Sequence, residues 1–594
     1  MLKLRCLTLK YMYIRKLEIN KFRSINTLSL DFNKGLNILI GENNVGKTAI
    51  IDALRLCLGF GSVRRDVFFS KECDFYINRS DPKDTKSDVS FNLHFEIENE
   101  LEPVIYRELL AIDEDGNEDL QLHVKYYLDE RGKLKYKIWG GTNEGQQISP
   151  EVLQLINYIH LDALRDAEQS LKPYRDSKLA RLYGDTQSHT KEQKQELANQ
   201  VRTVLKGKEW KDFIDEGKSK VNEHLGRTTF LNSKQEIEIS FSGMEFGDIL
   251  NNLHLQLPFF SEEVLKADPA NEQRYLSIWQ NGLGYNNLIY IATVLGDIKQ
   301  KKEIEPEAYF SLLIEEPEAH LHPQLQNLFF NYLSELATEK DFQIFVSSHS
   351  PTITAKADIN SINVLQQSSG ETFALSLRNS ELDDANKKFL HKFLDVTKSQ
   401  LFFANNVIFV EGISEALLIP IFSKKLGVEY DTEKAGTEIV NINGIAFEHF
   451  AKLYNGSPEK SLRNRSAVIT DNDRVRDEDD GTSRATKIKG MEANLLKVFL
   501  GDVTFEYELF LASARNREIL LEIYSEFHPL TTITVDANNE TYARNFAEKV
   551  NQQKSKSELA HRLSVRLEED TTAFSDFVVP TYIENAIKYA VKGE

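Results

Sequence analysis

The sequence has 594 residues, enough for about three or four domains of the usual size, roughly 150 residues each. Its 41% hydrophobic and 27% charged residues are ordinary for a globular protein, and no apolar run approaches the roughly 18 residues that span a membrane. The formal net charge of −19 excludes nucleic-acid binding by bulk charge, so such contacts require local basic patches, bridging metal ions or an oligomeric surface.

The N-terminus and the cysteines indicate the compartment. Residues 1–11 lack the long apolar region of a secretory signal, and Met12 stands just before the first convincing strand, so those residues are open to interpretation as an upstream extension. Cys6, Cys57 and Cys73 are few and scattered, which favours a reducing cytoplasm over a disulfide or zinc framework. We therefore expect a cytoplasmic protein without a membrane segment.

A glycine-rich loop follows the apolar run 36–41 and precedes apolar residues at helical spacing. The loop reads Gly41-x-x-x-x-Gly46-Lys47-Thr48, and strand, loop and helix together are the context of a nucleoside triphosphate site. Backbone N–H groups and the helix N-terminus would surround the phosphates, Lys47 would reach the β- and γ-phosphates, and Thr48 would hold Mg²⁺. The predicted nucleotide-binding residues of the loop are Gly41, Asn43, Asn44, Gly46, Lys47, Thr48 and Ala49.

Apolar residues alternate on both sides of this loop. Alternation within 14–32 predicts two strands, and the same pattern recurs over 89–97, 122–128 and 134–138. These segments predict half-buried antiparallel strands. The charge-rich helical segment 188–225 is predicted to protrude, either as a dimerisation element or as an outer layer on the core.

Two further strands of the first half end in polar residues. The strand over 309–314 ends in Glu315 and Glu316; the first acid is suited to the Mg²⁺ shell and the second to orienting or deprotonating the attacking water. The strand over 342–346 ends in Ser-Ser-His349-Ser-Pro. The sequence therefore gathers the chemical groups of an ATPase at several strand ends.

This order of motifs resembles the ABC-type ATPases of the SMC/RecF group. The resemblance implies that His349 contacts the γ-phosphate and that Arg23 lies near the nucleotide, although a surface arginine in a turn is the alternative. It also implies that Gly284 belongs to a signature loop that caps the γ-phosphate from a partner subunit. The stretch 280–288 departs from the usual Leu-Ser-Gly-Gly-Gln, Glu315 replaces a common aspartate, and His322 stands where the D-loop aspartate usually lies.

The second half carries acids at the ends of other predicted strands. Glu411 ends the strand over 407–410 and Glu415 follows one helical turn later, while Asp471 and Asp473 end the strand over 467–470. The carboxyl ends of parallel strands share one edge, and divalent metal relieves the repulsion of acids gathered there. Two metals about 3.5–4 Å apart can activate water and stabilise the leaving oxygen of a phosphodiester.

A strand-end Glu-Gly followed by Asp-x-Asp resembles the TOPRIM domain of topoisomerases, primases and certain nucleases. An SMC-like ATPase followed by TOPRIM resembles the OLD (overcoming lysogenization defect) family of nucleases, which includes the nuclease subunit of the Gabija anti-phage system. Further marks of this family are the stretches 401–404, 504–509, 556–560 and 579–587.

The OLD resemblance also implies roles for individual residues. Glu411, Glu415 and Asp471 would serve one metal, and Asp473, Thr504 and Glu506 the other. Lys556 would steady the transition-state phosphate, with Lys554 as the alternative, and surface charge is the alternative interpretation of Glu506 and Lys556.

The predicted fold is α/β: an ABC-type (SMC/RecF-like) P-loop ATPase domain over 12–380, with a helical dimerisation insert at about 163–230, followed by a C-terminal TOPRIM domain over 381–594. The TOPRIM core is expected at about 405–515 and a helical region at about 516–594.

The predicted function is an ATP-binding, metal-dependent DNA endonuclease, regulated by nucleotide and acting in phage or foreign-DNA defence. We expect ATP with Mg²⁺ or Mn²⁺ at the ATPase site and two divalent metals at the TOPRIM site. Expected partners are double-stranded DNA, further copies of the chain in a dimer or tetramer, and a helicase-like protein. The alternatives are an ATP-gated DNA sensor without nuclease activity, a DNA repair ATPase, and a topoisomerase, which would need a tyrosine domain and a DNA gate.

Overall fold

A computed structural model of the chain defines the fold. It describes residues 12–594 except 63–64, 78–87, 113–115, 163–179, 181–182, 184–189, 229–236, 240–244, 261–273, 320, 340–341, 369, 445 and 473–482. The described residues form two compact units. The larger contains the chain up to His160, Ser311–Glu318 and Pro323–Glu594, and the smaller contains Leu161–Phe310 and Ala319–His322.

An antiparallel sheet opens the larger unit. Its strands run in the order β2-β1-β4-β6-β5, and β7 pairs with β6. Burial alternates along β4, which places Phe91, Leu93 and Phe95 in the core and polar residues on the other face. The strands are β1 Tyr13–Phe22, β2 Ile25–Asp31, β4 Val89–Glu96, β5 Leu110–Ile112, β6 Glu118–Leu128 and β7 Leu134–Gly140.

A second sheet of the larger unit carries the glycine loop. Its order is β14-β13-β3-β12-β11-β8, and β3 pairs in parallel with both β12 and β13. Because β3 and β12 are almost wholly buried, three apolar residues follow one another in each, at 38–40 and 344–346, instead of alternating with polar ones. The strands are β3 Leu36–Gly41, β8 Ile156–Leu161, β11 Tyr309–Glu315, β12 Gln343–Ser348, β13 Ile362–Ser368 and β14 Glu371–Ser376.

A third sheet lies in the second half of the chain. Its four strands run in the order β16-β15-β17-β18 and all pair in parallel. The strands are β15 Asn406–Val410, β16 Thr437–Asn441, β17 Arg465–Asp471 and β18 Leu496–Gly501. Parallel pairing brings the residues that follow β15 and β17 to one edge of this sheet.

The α-helices of the larger unit connect and cover these sheets. In the first half they are Lys47–Leu58, Glu102–Ile105, Pro150–Gln154, Pro323–Glu339, Pro351–Lys356 and Asp384–Phe393. In the second half they are Ile413–Leu426, Phe447–Ala451, Ser483–Lys489, Phe505–Leu511, Ala514–Phe527, Asn539–Gln552, Lys556–Glu569, Thr571–Asp576 and Thr581–Lys592. Short 3₁₀ helices of the same unit are Gly59–Gly61, Arg107–Leu109, Ile359–Ser361, Leu377–Asn379, Lys398–Phe403 and Val428–Tyr430.

One buried core joins the second and third sheets. Ile38 and Ile40 of β3 belong to the same cluster as Phe402, Val407 of β15 and Val468 of β17. A separate cluster packs the helices after Phe505 against the other face of the third sheet. The strand that precedes the glycine loop and the strand that precedes Glu411 are thus parts of one packed interior.

The smaller unit is mainly helical. Its helices are Lys191–Leu205, Lys208–Thr228, Phe246–Leu250 and Leu283–Ile304, with a 3₁₀ turn at Ile278–Gln280 and a hairpin of β9 Gln256–Pro258 and β10 Tyr275–Ser277. The predicted helical insert falls in this unit, and part of it lies outside the described residues. Its role in dimerisation stays a prediction. None of the helices in the described part of the chain is long and apolar enough to cross a membrane.

Candidate functional site

The backbone of the glycine loop has a conformation that requires glycine. Gly41 ends β3 with φ of 145°, and a Cβ atom there would lie 2.3 Å from the Leu365 carbonyl oxygen. Gly46 has φ of 103° and is the N-cap of the helix Lys47–Leu58. These glycines allow the chain to turn tightly so that the helix N-terminus faces the loop, as phosphate binding requires.

Lys47 lies inside this loop. Its side chain is only 5% exposed, and Nζ donates hydrogen bonds to the carbonyl oxygens of Gly41 at 2.7 Å and Glu42 at 2.6 Å. Burial lowers the pKa of Lys47 to about 8, although the charges of Glu316, Glu318 and Glu42 oppose the shift. A buried ammonium in a glycine loop fits an anionic phosphate. Of the other loop residues, Asn43, Asn44 and Thr48 are exposed and Ala49 is buried.

The acids after β11 lie at the end of the same sheet. Glu315 is 7% exposed, and its Oε1 lies 2.8 Å from His160 Nε2. Glu316 has φ of 43°, donates its N–H to the Ser347 carbonyl oxygen, and places Oε1 3.6 Å from His349 Nε2. A non-glycine residue with positive φ stores backbone strain, which is typical of functional positions.

Glu318 is a further acid of this site that sequence reasoning missed. Its Oε1 accepts hydrogen bonds from Ser348 Oγ and from the His349 N–H, both at 2.8 Å. Its Oε2 is buried and has no hydrogen-bond partner among the described residues. Burial raises the pKa of Glu318, and burial together with the Lys47 charge lowers the pKa of His349. An unpaired buried carboxylate oxygen beside a buried lysine fits a site for a nucleotide and its metal ion.

Arg23 and Gly284 are the remaining two residues predicted at the nucleotide. Arg23 donates from Nε to Asp74 and from Nη1 to Asp52, both at 2.7 Å, so two carboxylates already hold its guanidinium. Gly284 is the second residue of the helix Leu283–Ile304 in the smaller unit, which also contains His322. The roles predicted for these residues at the nucleotide stay predictions.

The third sheet brings the predicted acids to one edge. Glu411 follows β15, and its Oε1 accepts from Arg484 Nη2 at 2.6 Å, from the Asp471 N–H at 3.2 Å, and from the Thr470 hydroxyl. Asp471 ends β17 and its Oδ2 accepts the Phe505 N–H at 3.1 Å. Arg484 was not among the predicted site residues, because it follows an acidic stretch with no motif around it.

Burial and repulsion by neighbouring acids make Asp471 and Glu415 resist ionisation. Asp471 and Glu415 are 7% and 8% exposed. Burial, with the charges of Glu411, Glu506 and Glu415, raises the pKa of Asp471 well above its usual range. Burial, with Glu506 and Glu411, likewise raises the pKa of Glu415 to about 7. These shifts show that the four acids act on one another electrostatically.

Buried Glu506 and half-buried Lys556 form an ion pair at the same edge. Glu506 is 3% exposed, and its Oε2 lies 3.1 Å from Lys556 Nζ. Burial alone would lower the pKa of the Lys556 ammonium. The neighbouring Glu506 carboxylate, with other acids of the cluster, outweighs burial and raises this pKa. Lys554 is exposed, so the structure places Lys556 at the acids. Thr504 is the N-cap of the helix Phe505–Leu511, and its hydroxyl accepts the Tyr507 N–H at 3.4 Å.

The buried hydroxyl of Tyr582 lies near the same sheet edge, and the sequence assigned no role to this residue. Its hydroxyl is buried and lacks a hydrogen-bond partner within the described residues. It packs beside Gly501, where an added Cβ would lie 3.3 Å from Tyr582 Oη, and Gly501 pairs with Asp471 across the two strands. Burial and the Asp471 charge raise the pKa of Tyr582.

The donor set at this edge fits divalent cations. Its candidate ligands are carboxylate oxygens and the Thr504 hydroxyl, oxygen donors of the kind that Mg²⁺ and Mn²⁺ prefer, and a cation would relieve the repulsion that contributes to the raised pKa values of Asp471 and Glu415. No three His, Cys, Asp or Glu side chains in the described part of the chain converge on a single point, and Arg484 and Lys556 each hold one acid. Asp473 lies outside the described residues.

Comparison with known proteins identifies both halves. The AAA ATPase domain family matches residues 12–136 and 141–354, and the Overcoming lysogenization defect protein-like TOPRIM domain matches residues 402–473. These matches confirm the predicted order of an ATPase domain followed by TOPRIM.

Individual proteins are similar over most of the chain. An OLD nuclease of Thermus scotoductus is 25% identical over 451 residues, which cover 72% of this chain and 78% of that protein. The endonuclease GajA of Bacillus cereus is 23% identical over 553 residues, covering 79% and 78%. A solved Smc head domain from Pyrococcus furiosus is 17% identical, with a TM-score of 0.38, and covers 65% of this chain and 100% of that one. The chain belongs to the AAA ATPase domain family, and its ATPase domain is followed by an OLD-like TOPRIM domain.

Proposed function

We propose that this protein is a nucleotide-regulated, divalent-metal-dependent DNA endonuclease. The observation that carries the proposal is the edge of the third sheet, where Glu411, Glu415, Asp471 and Glu506 gather beside Lys556. The OLD-like TOPRIM match covers three of these acids, all but Glu506, and two relatives are named as nucleases.

The chain's own groups divide the work of phosphodiester hydrolysis. Glu411, Glu415 and Asp471 would hold one Mg²⁺ or Mn²⁺, and Glu506 with Asp473 and Thr504 would hold the other. When bound, the metals supply an activated water and stabilise the leaving oxygen. Lys556, held at the cluster by Glu506, places a positive charge where the phosphate gains negative charge in the transition state. Hydrolysis by water requires no covalent protein–DNA intermediate.

The glycine loop would supply control through ATP and Mg²⁺. Lys47, Thr48, Glu315, Glu316 and His349 are the residues proposed to bind and hydrolyse the nucleotide. Nucleotide phosphates would draw Lys47 Nζ away from the carbonyl oxygens of Gly41 and Glu42, which it now contacts. The conformation of the loop would therefore differ between the free and the nucleotide-bound protein.

A direct contact connects this loop to the TOPRIM domain. The Asn405 amide, oriented with its nitrogen toward the acid, lies 2.7 and 3.1 Å from the two carboxylate oxygens of Glu42. Asn405 immediately precedes β15, the strand that ends at Glu411. A change at Glu42 therefore reaches the first catalytic acid along one short strand, inside a core that both domains share.

The remaining partners follow from the same proposal. The substrate is double-stranded DNA, and the ATPase domain pairs with that of a second copy, as the resemblance to ABC-type ATPases with a signature loop implies. Exposed apolar residues on the helices of the smaller unit, among them Val204 at 65% and Phe213 at 70%, support self-association. Defence against phage in the cytoplasm, with a helicase-like partner, is proposed from the similarity to GajA.

Cleavage of plasmid DNA tests the function. Supercoiled plasmid is incubated with the full chain and Mg²⁺ or Mn²⁺, with and without ATP, beside the variant Asp471→Ala and the matched control Asp536→Ala, an exposed acid of the same domain. Metal-dependent nicking that Asp471→Ala abolishes and Asp536→Ala retains supports the nuclease. Relaxation to closed circles would indicate a topoisomerase, and unchanged DNA under every condition would indicate a sensor.

A further inference from the structure

The guanidinium of Arg484 occupies a central position among the TOPRIM acids. Its Nη2 lies 2.6 Å from Glu411 Oε1, 3.3 Å from Thr470 Oγ1 and 3.4 Å from the Asp471 carbonyl oxygen. Arg484 therefore contacts the side chain of one predicted metal ligand, Glu411, and the backbone of another, Asp471. Arg484 belongs to the helix Ser483–Lys489, and its side chain is 27% exposed.

The hydrogen bonds of Glu411 indicate that Arg484 and a metal ion would compete for the same carboxylate. Its Oε1 accepts from three groups: Arg484, the Thr470 hydroxyl and the Asp471 N–H. A carboxylate oxygen has two lone pairs, so Oε1 has none left for a cation while all three donors remain, and a cation that uses both oxygens of Glu411 must displace a donor from Oε1. The permanent charge of arginine also repels any cation that approaches the same carboxylate.

The two cations of the cluster differ in their surroundings. Lys556 pairs with Glu506, which is 3% exposed and lies on a helix beyond β18. Arg484 pairs with Glu411, whose side chain is 21% exposed at the end of β15. The Arg484 side chain is 27% exposed and that of Lys556 is 40% exposed, so the difference between the two pairs lies in the acids. Glu411 is open to water and hence to a hydrated cation, whereas Glu506 is almost fully buried.

We propose that Arg484 is a built-in counter-ion that competes with the divalent cation for Glu411. Displacement of its guanidinium is part of loading the site, so Arg484 sets the cation concentration at which the site fills. This inference rests on the proposed function, because it assumes that the TOPRIM acids bind metal. A purely structural pair between helix and strand makes a different prediction: its loss would lower stability and leave metal binding no tighter.

Calorimetric titration with Mn²⁺ alone, on the full chain without nucleotide, tests the proposal. We expect Arg484→Gln to bind Mn²⁺ about tenfold more tightly than wild type, because charge-assisted hydrogen bonds to the ligand are removed. Arg484→Lys keeps the charge without the planar fork and should bind about threefold more tightly. The control Arg515→Gln removes an exposed arginine that pairs with Glu518 and Asp576, and its Mn²⁺ affinity should equal that of wild type.

The outcomes separate this proposal from the proposed function. Unchanged or weaker Mn²⁺ binding by a folded Arg484→Gln variant would overturn the counter-ion role. If thermal unfolding shows that the glutamine variant does not fold, the lysine variant decides: tighter binding supports the role, and equal or weaker binding refutes it. The variant Asp471→Ala reports on the site itself; if it binds Mn²⁺ as wild type does, the metal site of the proposed nuclease fails, whatever Arg484 does.

Discussion

The nucleotide site and the TOPRIM site both lie where parallel strands end, yet they handle charge in opposite ways. At the first, one buried lysine faces loop carbonyls and the nearby Glu318 keeps an unpaired oxygen. At the second, four carboxylates crowd together and two cations, Arg484 and Lys556, each hold one of them. The first arrangement suits an anion that brings its own metal, and the second suits metal held by protein ligands. In the proposed function, the same topological position therefore serves a regulatory ligand in one domain and catalysis in the other.

We expect the largest effect when an acid is removed from the TOPRIM site, and this change should leave the nucleotide site intact. Asp471→Ala should reduce plasmid nicking by at least about 100-fold, because it removes a predicted metal ligand at the centre of the cluster. Nucleotide affinity, measured with a fluorescent ATP analogue, should stay within about twofold of wild type. Equal loss of both properties would show that the two sites are not separable.

The reciprocal change removes the cation of the first site. Lys47→Ala should weaken nucleotide binding by about 100-fold, because the buried ammonium that meets the phosphates is lost. Metal-dependent nicking without nucleotide should remain. A variant that binds ATP as wild type does would contradict the position assigned to Lys47.

A smaller effect is expected for the contact between the domains. Asn405→Ala removes the amide that faces Glu42, so the ratio of nicking rates with and without ATP should move toward one by at least about twofold. Nucleotide affinity and ATP-free nicking should be unchanged, and the exposed Asn551→Ala serves as the control. If Asn405→Ala responds to ATP as fully as Asn551→Ala does, this contact does not transmit the signal.

A further effect is expected only at high pH. Because the folded, nucleotide-free protein has a Lys47 pKa of about 8, below the usual value, the ammonium is lost as pH rises through 8. Nucleotide affinity should therefore fall by up to about tenfold per pH unit above pH 8 and stay level below pH 7. Binding isotherms from pH 6.5 to 9.5 measure this slope, and an affinity that is flat to pH 9.5 would contradict the assigned pKa.

Local motifs predicted much of both sites. The glycine loop, the acids after β11 and β12, and the acids after β15 and β17 all lie at strand ends, which apolar runs mark clearly in the sequence. The matches to the AAA ATPase and OLD-like TOPRIM families confirm the predicted fold class. A strand-end acid is recognisable because its signal is local.

The missed residues share a different property, since tertiary folding alone brings them to the sites. His160 reaches Glu315 across 155 positions and Arg484 reaches Glu411 across 73. Glu318 offered a local signal, two residues beyond Glu316, but its importance depends on a hydrogen bond from Ser348. Arg23 shows the opposite case, because two aspartates distant in sequence hold a side chain that the resemblance assigns to the nucleotide.

The central claim is that the glycine loop controls cleavage by the TOPRIM acids. The most direct test is the plasmid nicking rate of wild type and Lys47→Ala, measured with Mg²⁺ across a series of ATP concentrations. We expect the wild-type rate to change with ATP and the Lys47→Ala rate to stay constant at the ATP-free value. Identical rates for both proteins at every ATP concentration would contradict it.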